Sequence, residues 1–313
     1  MKPYFIRFVL ALALTMAFSP ALTATALEPI RVSQNVYYIR GESGVPSTAN
    51  RGHTSNAGFA VTSDGVVVFD ALGTPVLGQE FIAAIRKVTP LPIRRVIVSH
   101  YHADHFYGLP AFKALGAEIW AHPAAGLYLK SDAAQQRLAE RRTTLAPWVG
   151  PDMRLVSADR WIDREVTFKQ GGVTFRVFPV GPAHTPEDLA MIVEEEGVLF
   201  VGDLMFGGRL PFVGEADSKA WISAIDRIVK FNPKVMVGGH GDVSRDAARD
   251  LRLTREYLVY LREKMGAAAD ALEDFDVAYN KTDWSRFSHL PAFHETNRRN
   301  AFNTYIRIQG GDK

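Results

Sequence analysis

One short stretch constrains this chain more than any other, because it places four ionisable side chains directly behind an apolar run. Residues 94–99 are rich in β-branched side chains and predict a buried strand, after which the sequence reads His-Tyr-His-Ala-Asp-His. Three imidazoles and one carboxylate this close together are costly to bury unless they are paired or bind a metal. We therefore expect a metal site that includes His100, His102, Asp104 and His105.

Three later polar residues follow predicted apolar strands, each in a loop rich in glycine or proline. They are His184, Asp203 and His240. Loops at strand ends project side chains over a rigid scaffold, so binding sites collect there. A lone histidine in such a loop is more often incidental, and a lone aspartate more often caps a turn or a helix. Beside the first motif, however, the three residues support one another as metal ligands.

The spacing of the first motif predicts two metals rather than one. Alternate residues of an extended segment point the same way, so His100 and His102 can bind one metal together. Asp104 and His105 can face a second metal once the chain turns. The expected ligand sets, joined by a bridging Asp203, are His100, His102 and His184 for the first metal and Asp104, His105 and His240 for the second.

The chain contains no cysteine, so its metal ligands must be imidazoles and carboxylates. Such donor sets are typical of open hydrolytic zinc sites rather than of closed, cysteine-rich structural ones. With 313 residues, 47% of them hydrophobic, the chain can build a large core without disulfides. Since no linker, repeat or low-complexity run divides it, we expect a single domain over residues 27–313.

The N-terminus has the pattern of a secretory signal peptide. Lys2 and Arg7 precede the apolar run 8–18, and a small-residue Ala-Thr-Ala site ends at Ala26. The run is too short to span a bilayer comfortably. We expect removal of residues 1–26, a periplasmic or secreted location and no stable membrane insertion.

Export also changes the charge balance. Without Lys2 and Arg7, two of the 36 basic residues, the mature chain has 34 basic against 34 acidic residues. A chain with no net charge has no global basic field to recruit nucleic acid, so we expect no nucleic-acid partner.

Hydrophobic periodicity predicts strand hairpins followed by strand–helix alternation, with a similar order in the second half of the chain. Predicted strands cover 32–38, 56–62, 66–69, 94–99, 118–121, 166–168, 173–180, 189–193, 198–201 and 235–237. Predicted helices cover 76–88, 109–115, 124–145, 218–231, 243–265 and 290–308, with Asp217 or Ser218 as the N-cap of the fourth. The segments 41–55 and 100–106 read as loops. This order predicts an α/β fold with layers of sheet and helix.

The combined motif resembles that of the metallo-β-lactamase-fold hydrolases. It runs from His100 through His102, Asp104 and His105 to His184, Asp203 and His240, and the resemblance covers residues 56–240. The resemblance implies a four-layer αβ/βα sandwich with a dinuclear metal cleft at one sheet edge. Asp70 matches the first acidic motif of the family, where it would support the metal loop. Its alternative is a simple turn residue.

Within that family, the residue types at single positions indicate which subfamilies this chain resembles. Asp203 stands where the best-known subclass of zinc β-lactamases carries cysteine, and it resembles the glyoxalase II-type arrangement. His102 stands where the flavin-linked di-iron proteins carry glutamate, which favours hydrolysis over oxygen reduction. Residues 67–75 and 297–305 resemble exported SoxH-like proteins, also called quinoprotein relay system zinc metallohydrolases. The glutathione-contacting pattern of glyoxalase II is not evident in residues 204–212.

We therefore expect an exported hydrolase with two Zn²⁺ ions, or with iron or manganese in their place. It would cleave the ester, thioester or amide/lactam carbonyl of a small molecule with a metal-bridging hydroxide. Asp104 would bind metal and relay a proton. Arg209, in a loop opened by two glycines, would hold a substrate carboxylate unless it is an ordinary surface arginine. Two alternatives stay open: a mononuclear iron persulfide dioxygenase, and a non-catalytic metal-binding accessory protein of a periplasmic oxidation pathway.

For several other polar residues we predict no role in catalysis or metal binding. His53 lies in the polar loop 41–55 and reads as solvated, and His122 stands where a strand leads into a helix. Arg137, Arg141 and Arg142 read as a solvated helix face rather than an anion site.

Overall fold

The computed structural model describes residues 26–311. The predicted signal peptide, residues 1–26, lies outside the described residues except for Ala26, and it stays a prediction. Within residues 26–311, no helix is both long enough and apolar enough to cross a membrane.

Within the described chain, the first sheet has seven strands, antiparallel on one side and parallel on the other. In spatial order they are β1 (Ile30–Arg31), β2 (Val36–Ile39), β3 (Ala57–Thr62), β4 (Gly65–Phe69), β5 (Ile93–Ile97), β6 (Glu118–Ala121) and β7 (Arg160–Trp161). β1 to β4 form an antiparallel meander, and β4 to β7 are parallel. The single strand predicted over 32–38 is wrong, because the chain turns at 32–35 and pairs β1 with β2.

The second sheet has five strands within the described residues. In sequence order they are β8 (Val166–Gln170), β9 (Val173–Pro179), β10 (Leu189–Val193), β11 (Val198–Phe206) and β12 (Val235–His240), and the spatial order is β12-β11-β10-β9-β8. β11 and β12 extend beyond their predicted ends, so that Asp203 and His240 lie inside strands rather than after them. The parallel pairing continues through an irregularity at Gly202, whose φ of 51° suits glycine.

The helices cover the outer faces of the two sheets. They are α1 (Pro75–Val88), α2 (Ala103–Phe106), α3 (Leu109–Ala114), α4 (Pro123–Leu129), α5 (Asp132–Thr144), α6 (Ser218–Ile228), α7 (Ala247–Asp270), α8 (Phe275–Lys281) and α9 (Phe293–Gln309). Asp217 caps α6 as predicted, since its side chain accepts from the N–H of Ala220. The single helix predicted over 124–145 is wrong. It divides into α4 and α5 because the Ser131 side chain caps a new helix.

The layers follow the order helix, sheet, sheet, helix. Phe69 and Phe200 stack between the sheets with ring centroids 5.3 Å apart. Phe81 of α1 is fully buried against the first sheet, and Trp221 of α6 and Leu258 of α7 are fully buried against the second. Each sheet therefore buries both faces, and the predicted four-layer αβ/βα sandwich is confirmed.

One buried side chain ties the two sheets together at the edge that carries the predicted ligands. The N–H of Asn56 donates to the carbonyl of Gly239 at 2.6 Å. Its Nδ2 donates to the carbonyls of Gly238 and Gly241, both at 2.9 Å. These bonds fix the start of β3 against the end of β12, and they fix the position of His240 relative to the first sheet.

Candidate metal centre

The structure brings all seven predicted ligands together at one edge of the two sheets. His100 and His102 follow β5, with His102 in extended backbone, and Asp104 and His105 lie on α2. The prediction of a loop over 100–106 is wrong for 103–106, where the chain forms one helical turn. That turn rotates Asp104 and His105 away from the two preceding histidines. Two groups result, with ligand atoms within 4.8 Å of one another: His100, His102, His184 and Asp203, and Asp104, His105 and His240.

Asp203 lies between the two groups, and each of its carboxylate oxygens faces a different pair of imidazoles. Its Oδ2 lies 3.1 Å from His184 Nε2 and 3.8 Å from His100 Nε2. Its Oδ1 lies 3.2 Å from His105 Nε2 and 3.4 Å from His240 Nε2. This is the arrangement that a bridging carboxylate requires.

The other two ligands complete the groups from opposite sides. His102 Nδ1 lies 2.9 Å from His184 Nε2 in the first group. Asp104 Oδ2 lies 3.5 Å from His240 Nε2 and 3.9 Å from His105 Nε2 in the second. Ligand atoms bound to one tetrahedral zinc at about 2.0–2.1 Å stand roughly 3.3 Å apart, so both groups have suitable spacing.

The polar atoms at the centre of the site lack other partners. His100 Nε2, His105 Nε2 and Asp203 Oδ1 are buried and have no hydrogen-bond partner among the described residues. A buried polar atom without a partner is costly, and nitrogen lone pairs aimed at one point repel one another. A divalent cation in each group would remove both costs, so the donor set fits a metal.

The electrostatics divide the imidazoles into two kinds. Burial, reinforced by the neighbouring His105, holds the pKa of His100 well below its usual value, and burial lowers the pKa of His102 to about 3. Burial also opposes protonation of His105, yet Asp203 and other nearby carboxylates raise its pKa well above the usual value. The site therefore contains neutral nitrogen donors beside carboxylates that attract positive charge.

Asp70 stands behind the site at the end of β4, with a φ of 62°. Its carboxylate accepts from the N–H of Ser99 at 2.7 Å and from Ser99 Oγ at 2.8 Å. It also accepts from His105 Nδ1 at 2.9 Å, which leaves Nε2 as the atom that faces the metal groups. A carboxylate that holds the far nitrogen of a ligand imidazole fixes its tautomer and ring orientation. Asp70 is more than the turn residue that the sequence left as its alternative.

The loop before β3 contributes contacts that the sequence did not indicate. His240 Nδ1 donates to the backbone carbonyl of Thr54 at 2.7 Å, and Thr54 Oγ1 donates to Asp104 Oδ2 at 3.2 Å. The hydroxyl of Ser55 donates to the backbone carbonyl of Asp104. These contacts orient two ligands of the second group, His240 and Asp104. A backbone carbonyl carries no sequence signal, and a Thr-Ser pair in a polar loop is too common to stand out.

The turn that presents His184 is held by a second buried carboxylate. Asp188 accepts from the N–H and from the hydroxyl of Thr185, both at 2.8 Å. Burial raises the pKa of Asp188 to about 7. No motif in the sequence singles out Asp188, which closes the turn next to a ligand and is not among the residues that line the cleft.

Arg209 is buried, with only 4% of its surface exposed, so the alternative of a surface arginine is wrong. Its Nη1 donates to the carbonyl of Gly44 at 3.2 Å and lies 3.2 Å from His240 Nδ1. Because that nitrogen already donates to Thr54, the approach to His240 is a packing contact rather than a hydrogen bond. Arg209 Nε has no partner among the described residues.

A cleft of about 320 Å³ opens onto the ligands. Phe206 and Phe212 line it, and the Phe206 ring stacks on His240 at 4.8 Å. Four guanidinium groups and two carboxylates also line it: Arg137, Glu140, Arg141, Arg209, Glu295 and Arg299. Arg137 and Arg141 of α5 thus border the cleft, whereas Arg142 points away and donates to the carbonyls of Pro151 and Met153. That these arginines form a solvated face rather than an anion site stays a prediction.

Two of the four histidines that are not predicted ligands, His53 and His122, were singled out by the sequence, and both lie outside the cleft. His53 is buried rather than solvated, and burial lowers its pKa to about 4. His122 caps α4, since its Nδ1 accepts from the N–H of Ala124.

A two-sheet sandwich with a His/Asp metal site at one edge defines a class of metal-binding proteins, and sequence comparison identifies the family. Residues 50–240, more than half of the chain, match the model of the Metallo-beta-lactamase superfamily. The chain belongs to this superfamily and is a metal-dependent hydrolase. The predicted superfamily and enzyme class are confirmed, while the narrower resemblance to SoxH-like proteins stays a prediction.

Two curated relatives illustrate the range of the family. The metallo-beta-lactamase type 2 of Elizabethkingia meningoseptica is 28% identical over 212 residues, covering 66% of this chain and 77% of that protein. The linear primary-alkylsulfatase of Pseudomonas sp. (strain ATCC 19151) is 22% identical over 243 residues. That match covers 64% of this chain but only 44% of the alkylsulfatase.

Solved structures share the fold at low identity. The inverting sec-alkylsulfatase Pisa1 from Pseudomonas sp. has a TM-score of 0.70 at 18% identity, covering 91% of this chain and 50% of that one. A metallo-beta-lactamase from Pontibacter korlensis has a TM-score of 0.60 at 20% identity, covering 74% of this chain and 99% of that one. The alkylsulfatase match extends further along the present chain.

Proposed function

We propose that this chain is an exported dinuclear zinc hydrolase that cleaves the ester, thioester or amide carbonyl of a small anionic molecule. One observation carries the proposal: the two oxygens of Asp203 face two separate sets of imidazoles, 3.1–3.8 Å away on one side and 3.2–3.4 Å away on the other. Imidazole and carboxylate donors without thiolate suit zinc in an open, hydrolytic site. Export rests on the signal-peptide pattern of residues 1–26.

His100, His102 and His184 would hold the first cation, and Asp104, His105 and His240 the second, with Asp203 shared. A bound zinc pair supplies an acidified water near neutral pH and polarises a substrate oxygen. Asp104 is the ligand best placed to handle protons, because its side chain is 20% exposed while that of Asp203 is only 4% exposed. Asp104 would accept the proton of the attacking water and return it to the leaving group.

Arg209 would hold an anionic group of the substrate. Burial lowers the pKa of Arg209, and the charges of Asp104, Asp203 and Glu295 oppose that effect. Its Nε has no hydrogen-bond partner among the described residues, and an anionic substrate group would supply one. Arg299 and Arg141 also line the cleft. Glu140 and Glu295 line it as well, and the arginines outnumber these glutamates four to two. The aromatic rings of Phe206 and Phe212 would exclude water around the reacting group.

Sulfate-ester hydrolysis is a second candidate function. The arginine-lined cleft favours it, because a sulfate ester keeps a negative charge on the group that reacts. The similarity to the two alkylsulfatases adds support. The two candidates differ in the bond cleaved, so one panel of substrates separates them.

The test is a turnover panel on the purified mature protein. It contains a lactoyl thioester, a chromogenic cephalosporin, a simple lactone and a primary alkyl sulfate, each before and after chelation, with elemental analysis of the bound metal. We expect turnover of a carbonyl substrate that chelation abolishes and zinc restores. Full turnover after exhaustive chelation, or in His102→Ala, contradicts the proposal. Turnover of the alkyl sulfate alone favours the second candidate.

A further inference from the structure

A second cavity, separate from the metal cleft, lies on the other side of α5. It is an open groove of about 1110 Å³ lined by α4, α5, the segment 151–157 and Trp161 of β7. Its volume is slightly above the range of about 300–1,000 Å³ that is usual for small-molecule sites. Neither the proposed hydrolysis nor any metal ligand involves this groove.

α5 forms a wall of both cavities but presents a different face to each. Arg137, Glu140 and Arg141 line the metal cleft. Three other residues of α5 line the groove: Gln135, Leu138 and Arg142. With 3.6 residues per turn, the two sets lie on well-separated faces of the helix. A molecule in the groove would therefore touch none of the side chains that line the cleft.

The groove exposes large apolar side chains. Leu127 is 74% exposed and Trp161 is 39% exposed, while Leu138 is buried at the base. The indole lies across α4, since a Cβ added at Gly126 would stand 3.2 Å from the Trp161 ring. These side chains give the groove an apolar wall that a bound alkyl chain would cover.

The charge of the groove has one sign. Lys130, Arg142 and Arg154 line it, and no carboxylate does so among the described residues. Both arginines donate to the backbone carbonyls of Pro151 and Met153, at distances of 2.8–3.1 Å. The carbonyls accept from one nitrogen of each guanidinium, while Arg142 Nε has no partner among the described residues, and the positive charge has no counter-ion. None of the three cations forms an ion pair within residues 26–311.

We propose that this groove binds a soluble amphiphilic anion: a single alkyl chain that ends in a carboxylate. The chain would lie against Leu127 and Trp161, and the head group would meet Lys130 and Arg154. A neutral amphiphile would leave the positive charges unmatched, and a short carboxylate would leave the apolar wall in water. Charge complementarity and exposed apolar surface in one groove thus select the same class of ligand.

The first test is calorimetric titration of the whole purified protein with three probes: decanoate and hexanoate below their micellar concentrations, and decanol below its solubility limit. We expect decanoate to bind, and each CH₂ removed to weaken binding by about fourfold. Decanol should bind at least about tenfold more weakly than decanoate, because it lacks the charge. Equal affinities for decanoate and decanol, or for decanoate and hexanoate, overturn the proposal.

A matched pair of variants locates the binding. Leu127→Asp places a carboxylate inside the groove, and Leu272→Asp makes the same change at a position that is 79% exposed and outside it. Both positions are on the surface, so both variants should keep the thermal midpoint of the parent. We expect decanoate affinity to fall at least tenfold in the first variant and to stay unchanged in the second. Unchanged affinity in Leu127→Asp, with loss in Arg299→Glu, would place decanoate in the metal cleft and overturn the proposal.

A third experiment distinguishes binding of a soluble ligand from binding to a membrane surface. The double variant Lys130→Glu, Arg154→Glu should lose the preference for decanoate over decanol. The parent protein should not sediment with vesicles of anionic phospholipid. Sedimentation with the vesicles, together with no binding of monomeric decanoate, would assign the groove to a lipid surface and contradict the proposal.

Discussion

Asp70 accepts a hydrogen bond from His105 Nδ1 across 2.9 Å, and this contact determines which nitrogen of His105 faces the metal groups. With the proton held on Nδ1, Nε2 lies 3.2 Å from Asp203 Oδ1 and is free to bind a cation. The same carboxylate also accepts from the backbone and the side chain of Ser99. Asp70 therefore links the end of β4 to Ser99 and His105. Its negative charge supports the ligand His105, although Asp70 itself does not face the metal groups.

Replacement of Asp70 by Asn tests that link. The amide keeps the shape but loses the charge that holds the His105 tautomer. We expect the metal affinity of the Asp104, His105 and His240 group to fall about 10- to 100-fold. Competition with a chelator measures the affinity. Asp226→Asn, which breaks a surface pair with Arg255, is the control and should leave it unchanged. Parent-like affinity in Asp70→Asn would show that the contact is dispensable.

Gly239 must remain glycine because its Cα lies against the bridging ligand. A Cβ there would overlap Asp203 Oδ1 and lie 2.9 Å from the carbonyl carbon of Gly202. We expect Gly239→Ala to lower the free energy of unfolding by about 1–3 kcal/mol and to weaken metal binding. Gly150→Ala is the control, since nothing lies within 4 Å of its added Cβ. Denaturant unfolding measures both variants, and equal stabilities would contradict this reading of the site.

Arg209→Ala tests the proposed recognition of an anion. The loss of a charged hydrogen-bond donor, worth about 1.5–3 kcal/mol, should lower kcat/KM for an anionic substrate roughly 10- to 100-fold. The matching neutral ester should be turned over as by the parent. Arg164→Ala is the control, because that side chain is 87% exposed. If both substrates lose activity equally, Arg209 supports the fold of the site rather than the substrate.

His53 should make stability depend on pH. Burial lowers its pKa to about 4 in the folded state, against the usual 6.5. The unfolded chain then binds more protons between pH 6.5 and pH 4, so the stability contribution is complete above pH 6.5 and is lost as pH falls toward 4.

Replacement of His53 by Gln should remove that dependence. Between pH 7 and pH 5 the parent should lose about 2 kcal/mol more free energy of unfolding than the variant does. Urea unfolding at both pH values, with saturating metal, supplies the comparison. Parallel losses in the two proteins would mean that His53 is not buried as a neutral group.

The sequence predicted the parts of this molecule that depend on side-chain chemistry. His100 and His102 stand out because three imidazoles and a carboxylate within six residues have few other roles, and Asp203 gains significance only beside that motif. Hairpins with turn signals, such as β3–β4, were also predicted closely. The two parallel strands β11 and β12 were predicted too short, because pairing through the bulge at Gly202 depends on the neighbouring strand.

The rest of the site depends on tertiary contacts that leave no pattern. Thr54 supports His240 with a backbone carbonyl, which every residue possesses. α5 buries only Ala134 and Leu138, so its periodicity does not tell which of its arginines face the metal cleft. Docking of the helix decides that Arg141 faces the cleft and Arg142 the groove.

Metal stoichiometry tests the central claim most directly. Elemental analysis of the purified mature protein, and of His102→Ala, counts the cations per chain, and dialysis against limiting chelator resolves their affinities. We predict two zinc ions in the parent and one in His102→Ala, since Asp104, His105 and His240 remain intact with Asp203. Two ions lost together in Asp203→Asn would agree with its bridging position. A fully active parent with a single metal ion would contradict the dinuclear account.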